Sequence, residues 1–244
     1  MAALARWFWL RRIISREQYS KIPNQHCRYR SEKTANKIKY SQLKERGLVK
    51  VSGKDAVKFL QGLVTNNVEL FHQDSNVKTM YSMFLNVQGR ALFDTIFFKL
   101  KNESGIPSFA VEHDKNLTSQ LLKQMKMYKL RSKVDMSEIS NLVPWVVFSD
   151  ASCEVKLDKN TCDEAVVMAK DPRNDDIGIR LILPEGMTPQ IMFSTATECQ
   201  DGDYEKHRAK LGVCEGALEI PSGSAIPLEY NLAYLNGGEL NYST

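Results

Sequence analysis

Two β-rich runs close together in the chain constrain the fold most strongly. They cover residues 78–84 and 91–100, and the six residues between them include Asn86 and Gly89, which suit a tight turn. Runs of this length joined by such a turn are typical of two antiparallel strands. The sequence therefore predicts a β-hairpin here.

The second run carries one carboxylate among apolar side chains. Side chains alternate between the two faces of a strand, so Asp94 shares a face with Ile96 and Phe98, and the other face carries Phe93 and Phe97. A buried, ionised carboxylate costs several kcal/mol unless hydrogen bonds or a cation compensate. Asp94 must therefore have polar partners.

Those partners could belong to a ligand or to the protein. As a functional group, Asp94 could accept from the N–H and NH2 donors of a polar heterocycle, or act as a base. As a structural group, it could hold the turn from Asn86 to Arg90, with Arg90 as its ion-pair partner. The residues alone leave both interpretations open.

The rest of the chain mixes strands and helices without regular alternation. This favours an α+β fold over a doubly wound sheet. Further strands are predicted at 47–52, 143–148 and 177–184, and helices at 56–64, 116–132 and 204–212.

Charge is distributed unevenly along the chain. Residues 1–46 hold 12 Lys and Arg against 3 Asp and Glu, so the overall charge of +4 hides an acidic remainder without a nucleic-acid-binding pattern. The first sixteen residues form an Arg-rich, acid-poor amphipathic pattern typical of a mitochondrial transit peptide, although a helix lying on a surface would look similar. We expect residues 1–40 to be a disordered leader directing the chain to the mitochondrial matrix. No run is long and apolar enough to span a bilayer.

Common catalytic and metal-binding motifs are missing from the sequence. The five cysteines form no C-x-x-C pair, and the four histidines form no H-x-x-x-H or H-x-E pattern. The glycine-rich nucleotide-binding motifs and G-x-S-x-G are not found either. We therefore predict no catalytic residue and no metal ligand.

Two further segments could bind a ligand but also have a simpler interpretation. Residues 60–68 contain Gly62, Asn66 and Asn67 and could present backbone groups to a ligand, although such a segment is more often a helix cap and turn. The basic side of the helix at 117–131 could attract a polyanionic tail, although such charges are usually only solvated.

Four stretches together resemble the folate-binding YgfZ/GcvT-like family. They are FLQGLVTNNV at 59–68, LNVQGRALFDTI at 85–96, MYKLRSKV at 127–134 and IPLEYNLAYLNG at 226–237. The resemblance covers residues 41–237 in order. It implies an aminomethyltransferase-like α+β fold with mixed and antiparallel sheets, and tetrahydrofolate bound in a central cavity. It also implies a matrix protein that supports the maturation of 4Fe-4S proteins such as aconitase, lipoate synthase and radical-SAM enzymes, with A-type scaffold proteins as partners.

The resemblance also suggests where the cofactor lies. Asp94 corresponds to a folate-facing aspartate of the aminomethyltransferases, and Glu229 and Asn231 match a family motif near the pterin cavity. With Asn86 and Arg90 of the turn, they form the predicted tetrahydrofolate site. The alternatives are a tetrahydrofolate-dependent aminomethyltransferase that uses Asp94 on the folate-bound amine, and an inactive product.

The chain departs from the family after Gly237. The family continues into Lys-Gly-Cys-Tyr-x-Gly-Gln-Glu and then into a small C-terminal β-barrel, whereas residues 238–244 read GELNYST. We therefore expect a truncated chain in which 238–244 is a divergent tail and the barrel is missing. Such a chain could contact a 4Fe-4S or 2Fe-2S cluster, but it would lack the cysteine motif expected to ligate it.

Overall fold

The computed structural model describes residues 37–101, 105–149 and 167–238. They belong to one compact unit that begins at Asn36. The predicted transit peptide lies outside the described residues, and so do the tail from 239 onward and three of the cysteines (Cys27, Cys153 and Cys162).

Within the described residues, ten strands form two open five-stranded sheets. The strands are β1 (Ile38–Gln42), β2 (Arg46–Ser52), β3 (Thr79–Leu85), β4 (Ala91–Lys99), β5 (Ser108–Asp114), β6 (Asp135–Ile139), β7 (Leu142–Ser149), β8 (Val167–Lys170), β9 (Ile179–Pro184) and β10 (Thr197–Glu198). The first sheet has the order β3-β4-β5-β2-β6 and is antiparallel throughout. The second has the order β10-β1-β7-β9-β8, and only its β1–β10 pair is parallel.

Four short helices accompany the sheets in the part of the chain that the structure describes. They are α1 (Ala56–Gln61), α2 (Val68–Gln73), α3 (Thr118–Lys129) and α4 (Asp203–Lys210). Three 3-10 turns lie at Lys115–Leu117, Pro189–Ile191 and Pro227–Tyr230. The α+β prediction is therefore confirmed, with mixed and antiparallel sheets.

The first sheet is covered on both faces. One face packs against α1 and α3 through residues such as Phe93, Phe97 and Leu121. The other faces the second sheet, where Ile96 and Phe98 of β4 share a core with residues of β7 and β9. A third cluster of buried side chains lies on the opposite face of the second sheet. The space between the sheets is thus apolar over much of its area.

The predicted hairpin is confirmed as β3 and β4, which pair in antiparallel register. Asn86 holds the turn, because its side-chain oxygen accepts hydrogen bonds from the backbone N–H groups of Gln88 and Arg90, both at 2.9 Å. Gly89 has φ +73°, a conformation that glycine adopts without strain. Asp94 and Ile96 face the second sheet, as the alternation of side chains predicts.

Two boundaries differ from the sequence-based expectation. Strand β1 begins at Ile38, within the segment expected to be a disordered leader, because Ile38–Gln42 pairs with β7. Helix α1 ends at Gln61 rather than near residue 64, because Val64 instead forms a β-bridge with Phe84.

Candidate functional site

Asp94 is buried and its carboxylate is held by protein groups. The residue is 4% exposed, one oxygen accepts from Arg46 Nη1 at 2.9 Å, and the other accepts from the Gly216 N–H at 3.2 Å. The structural interpretation named Arg90 as the ion-pair partner, and this is wrong. Arg90 lies in the hairpin turn, where its guanidinium is directed to the Ser224 carbonyl at 3.5 Å. Arg46 takes the role because it begins β2 and its side chain enters the space between the sheets.

A second carboxylate links the two sheets. Glu112 of β5 is fully buried, and its Oε1 accepts from Arg46 Nε at 3.0 Å and from Arg180 Nη1 at 2.8 Å. Arg180 belongs to β9 of the second sheet and is also fully buried. Glu112 therefore connects the two sheets through charge-assisted hydrogen bonds.

The ion pairs continue from Arg180 to two more carboxylates. Asp171 accepts from Arg180 Nε and from Arg173 Nη2, each at 2.8 Å. Glu215 lies between the same two guanidinium groups, at 2.7 Å from Arg173 Nη2. Tyr204 accepts from Arg180 Nη2 at 2.8 Å. We call these residues the buried ion network: Arg46, Asp94, Glu112, Asp171, Arg173, Arg180 and Glu215.

The arginines of the network keep two of its carboxylates, Asp171 and Glu215, charged. Burial alone would raise the pKa of Asp171, but Arg173 and Arg180 outweigh it and bring that pKa to about 2. Burial likewise opposes ionisation of Glu215, yet the surrounding arginines hold its pKa well below the usual value. The hydroxyls of Tyr81 and Tyr204 have raised pKa values, chiefly because they are buried. At neutral pH Asp171 and Glu215 are ionised and the two tyrosines are neutral.

The larger of two described cavities has a volume of about 1300 Å³. Its walls combine amide side chains with apolar ones, and they include Asn66, Phe71, Lys78, Tyr81, Lys170, Asp171 and Asn236. This composition suits a flat, polar heterocycle held between apolar surfaces. We call it the large cavity.

Two of the family-like stretches meet at the large cavity. The Asn66 side-chain amide donates to the Tyr81 carbonyl at 2.9 Å and to the Asn236 carbonyl at 2.7 Å. Next to it, Thr65 Oγ1 donates to the Gly237 carbonyl at 2.6 Å. Stretch 59–68 is thereby joined to stretch 226–237, far away in sequence. The sequence of 60–68 allowed a ligand-binding and a capping interpretation, and Asn67 does cap α2 by accepting from the Leu70 N–H at 2.9 Å.

The buried ion network forms part of the wall behind the large cavity. Asp171 and Tyr81 line the cavity, and the guanidinium of Arg173 lies 5.7 Å from the centre of the Tyr81 ring. Asp94 lies deeper and adds to the raised pKa of Tyr81 after the larger effect of burial. Asp94 itself does not line the cavity.

The second cavity is smaller, about 310 Å³, and lies at the other end of the network. Arg46, Glu215 and Gly216 line it, and so does Cys199. Burial raises the pKa of the Cys199 thiol and also that of Cys214, so neither is an activated thiolate.

The structure separates the residues predicted from the sequence. Asn86 and Arg90 lie together in the hairpin turn, while Asp94 belongs to the buried ion network. Glu229 is exposed in the 3-10 turn Pro227–Tyr230, and Asn231, also exposed, follows it with φ +58°. None of the five lines either cavity. Their role in binding a cofactor stays a prediction.

The described part of the chain holds neither a metal-ligand cluster nor a membrane-spanning helix. Nowhere in 37–101, 105–149 and 167–238 do three or more His, Cys, Asp or Glu side chains form a group that could hold a metal ion. In the same ranges no helix is long and apolar enough to cross a membrane.

Sequence reasoning missed most of the ion network. Arg180 lies in the apolar run Ile179–Pro184, and Glu112 lies in Ser108–Asp114, where every residue is buried. Like Asp94, each is a charged residue within an apolar strand. The sequence thus contains charges of opposite sign in three apolar strands, a pattern that predicts buried ion pairs between them.

The fold is that of the aminomethyltransferases. The described unit resembles the crystal structure of the glycine cleavage system aminomethyltransferase T from Bartonella henselae, with a TM-score of 0.62 and 14% sequence identity, over 82% of this chain and 58% of that one. At this identity the similarity establishes the fold alone. No model of a protein family matches the chain.

Curated relatives give a more specific relationship. The chain is 35% identical over 218 residues to the mitochondrial iron-sulfur cluster assembly factor IBA57 homolog of Mycosarcoma maydis. It is 34% identical over 204 residues to mitochondrial IBA57 of Mus musculus, and 33% over 203 residues to that of Homo sapiens. These alignments cover 80 to 85% of this chain but 51 to 56% of the relatives. The chain is therefore a homologue of the IBA57 factors that spans about half of their length.

Proposed function

We propose that the protein is a mitochondrial factor of iron-sulfur cluster assembly that binds a reduced folate in the large cavity. The curated relatives support the cellular role, since each is named as a mitochondrial iron-sulfur cluster assembly factor. A-type scaffold proteins and 4Fe-4S client apoproteins are its partners in this proposal. The cluster itself is cargo.

The observation that carries the folate part is the meeting of two family-like stretches at one cavity. The hydrogen bonds of Asn66 and Thr65 place residues 59–68 and 226–237 along the same wall. A volume of about 1300 Å³ exceeds the roughly 300–1,000 Å³ of ordinary small-molecule pockets, so a ligand with a ring system and a tail can be accommodated.

Two lysines at the rim of the cavity fit the tail of a folate, although carboxylates line the cavity as well. Lys78 and Lys170 line the cavity and are exposed, and Lys170 has only a long ion pair of 3.8 Å, with Asp175. A folate has an apolar aromatic middle and a glutamyl tail whose carboxylates would approach these lysines. The pteridine would lie against Phe71 and Tyr81.

Binding is tested by titrating the purified chain with tetrahydrofolate in an anaerobic calorimeter. We expect the double variant Lys78→Glu and Lys170→Glu to bind at least tenfold more weakly, since two attractive charges become repulsive. The double variant Lys206→Glu and Lys210→Glu on α4 is the matched control, because it reverses two exposed charges outside both cavities. If only Glu229→Gln lost binding, the folate would lie at the residues predicted from the sequence and not in the large cavity. A wild-type protein that binds no folate would overturn the folate proposal.

The assembly role is tested separately in cells depleted of their own IBA57. Expression of this chain should restore aconitase activity, which needs a 4Fe-4S cluster, while citrate synthase serves as a cluster-independent control. If the chain accumulates in mitochondria and aconitase stays inactive, the proposed assembly role is wrong.

The geometry does not favour the aminomethyltransferase alternative. Both oxygens of Asp94 already accept hydrogen bonds, from Arg46 and the Gly216 N–H, and the residue lines neither cavity. A base that removes a proton from a ligand must come within hydrogen-bond reach of it. Transfer of a labelled aminomethyl group to tetrahydrofolate, lost in Asp94→Asn, would establish the enzyme instead.

A further inference from the structure

The end of helix α3 and the turn after it form a strongly basic surface. From Lys115 to Val134 the chain contains no Asp or Glu. Four cations lie at the end of this segment and all are at least partly exposed: Lys126, Lys129, Arg131 and Lys133. For none of them does the structure show an ion pair with an acidic side chain in the described residues.

Apolar side chains project from the same surface. Helix α3 fills the core with Leu121 and Met125, yet Met127 is 60% exposed and Tyr128 is 44% exposed. Leu130, directly after the helix, is 89% exposed and has φ +43°. A left-handed backbone is uncommon for a residue other than glycine. The fold therefore holds a leucine outward in a conformation that costs energy. We call Lys126–Lys133 the basic tip.

A neighbouring segment extends the positive charge. The Asp55 carboxylate accepts from the Lys133 backbone N–H at 2.7 Å, which fixes the start of α1 against the basic tip. Lys54 and Lys58 flank Asp55 and both are exposed. Lys54 and Lys58 thus add to the four cations of the basic tip.

We propose that the basic tip docks on the surface of an anionic lipid bilayer. Lysine and arginine close to such a surface are attracted to its headgroups, while exposed apolar side chains enter the interface between headgroups and acyl chains. The tip projects from the end of a helix and lines neither cavity, so it suits a flat surface better than a peptide that needs a groove. The contact is peripheral, consistent with the lack of a membrane-spanning helix among the described residues.

The test measures the depth of position 130 in a bilayer. The full chain is used with Trp7→Phe and Trp9→Phe, because these residues belong to the leader and would give their own signal. The remaining native tryptophan, Trp145, is 7% exposed and serves as a constant background. Leu130→Trp is then compared with Leu218→Trp, a matched control at a leucine that is 98% exposed elsewhere on the surface.

Vesicles are made from phosphatidylcholine with brominated acyl chains, with or without phosphatidylserine. We expect strong quenching of Leu130→Trp only when phosphatidylserine is present, and none of Leu218→Trp. Adding Lys126→Glu, Lys129→Glu and Arg131→Glu should weaken vesicle binding by at least tenfold, since each charge contributes about fivefold. The double variant Lys206→Glu and Lys210→Glu on α4 is the control for a change in net charge away from the basic tip.

Four results would contradict docking through the basic tip. Equal quenching at positions 130 and 218, or equal quenching with neutral vesicles, would overturn the proposal. The same holds if the chain binds vesicles through its leader while position 130 stays unquenched. The proposal also fails if the tryptophan emission of Leu130→Trp responds to an acidic protein but not to anionic vesicles. Folding of each variant is checked by its thermal unfolding.

Discussion

The link between the two sheets through Glu112 can be tested by removing one charge. In Glu112→Gln the side chain keeps its shape, and an amide oxygen can still accept from Arg46 Nε and Arg180 Nη1. Glu112 Oε2, which the amide nitrogen would replace, has no hydrogen-bond partner among the described residues. The variant therefore removes charge with little change in geometry.

The expected loss follows from the kind of hydrogen bond. Bonds to a charged group contribute about 1.5–3 kcal/mol and neutral ones about 0.5–1.5 kcal/mol. Two such bonds in a fully buried site give a loss of about 3 kcal/mol in the free energy of unfolding. For a domain of this size, that corresponds to a fall of roughly 6–12 °C in melting temperature.

Urea unfolding followed by circular dichroism measures this loss. Glu138→Gln is the control, because Glu138 is exposed on β6 of the same sheet and should change stability by less than about 0.5 kcal/mol. Glu112→Leu should cost more than Glu112→Gln, because it leaves Arg46 Nε and Arg180 Nη1 without their acceptor. If Glu112→Gln is as stable as the Glu138→Gln control, the network does not stabilise the contact between the sheets.

Three further predictions concern single residues. Burial lowers the pKa of His113 to about 4 in the folded protein, against about 6.5 when unfolded, so its contribution to stability is full above pH 6.5 and is lost between pH 6.5 and 4. The free energy of unfolding should therefore fall by about 2 kcal/mol between pH 7 and pH 5. Denaturant titrations should show that His113→Gln removes this pH dependence, whereas His72→Gln, at an exposed histidine, keeps it. Gly178 has φ +120° and a Cβ there would lie 2.2 Å from the Val147 carbonyl, so Gly178→Ala should lose at least about 2 kcal/mol in calorimetry, and an unchanged melting temperature would contradict this. Asn67→Ala should lose about 1 kcal/mol because α2 loses its cap, whereas Asn67→Asp should stay close to the wild type.

Local pattern predicted the elements whose signal lies within a few residues. The hairpin follows from two apolar runs and an Asn–Gly turn, and α3 follows from apolar residues at helical spacing. Alternation along β4 also gave the correct face for Asp94. In each case the deciding contacts are between near neighbours in the chain.

Features that depend on distant pairing were not predicted. Strand β6 carries few buried residues and is stabilised by its register with β2, and β10 is two residues long and exists through its parallel pairing with β1. The partner of Asp94 was misassigned for the same reason. Arg90 is close in sequence, whereas Arg46 becomes a neighbour only when β2 and β4 lie in one sheet.

The large cavity shows the same limit. Residues 59–68 and 226–237 each carry a family-like motif, but no local pattern places Asn66 against Asn236. The sequence directed attention to Glu229 and Asn231, which are exposed. The chemical character of the site could be anticipated, while its position required the fold.

The arginines that share carboxylates between the sheets also limit how such a chain can diverge. Arg180 contacts Glu112, Asp171 and Glu215 at once, so a single exchange at any of these positions leaves an unmatched charge in a dry interior. Viable replacements must come in groups that leave the net charge of the buried ion network unchanged. Across homologues, these positions should therefore change together or not at all, and an alignment in which they vary independently would mean that their charges are dispensable.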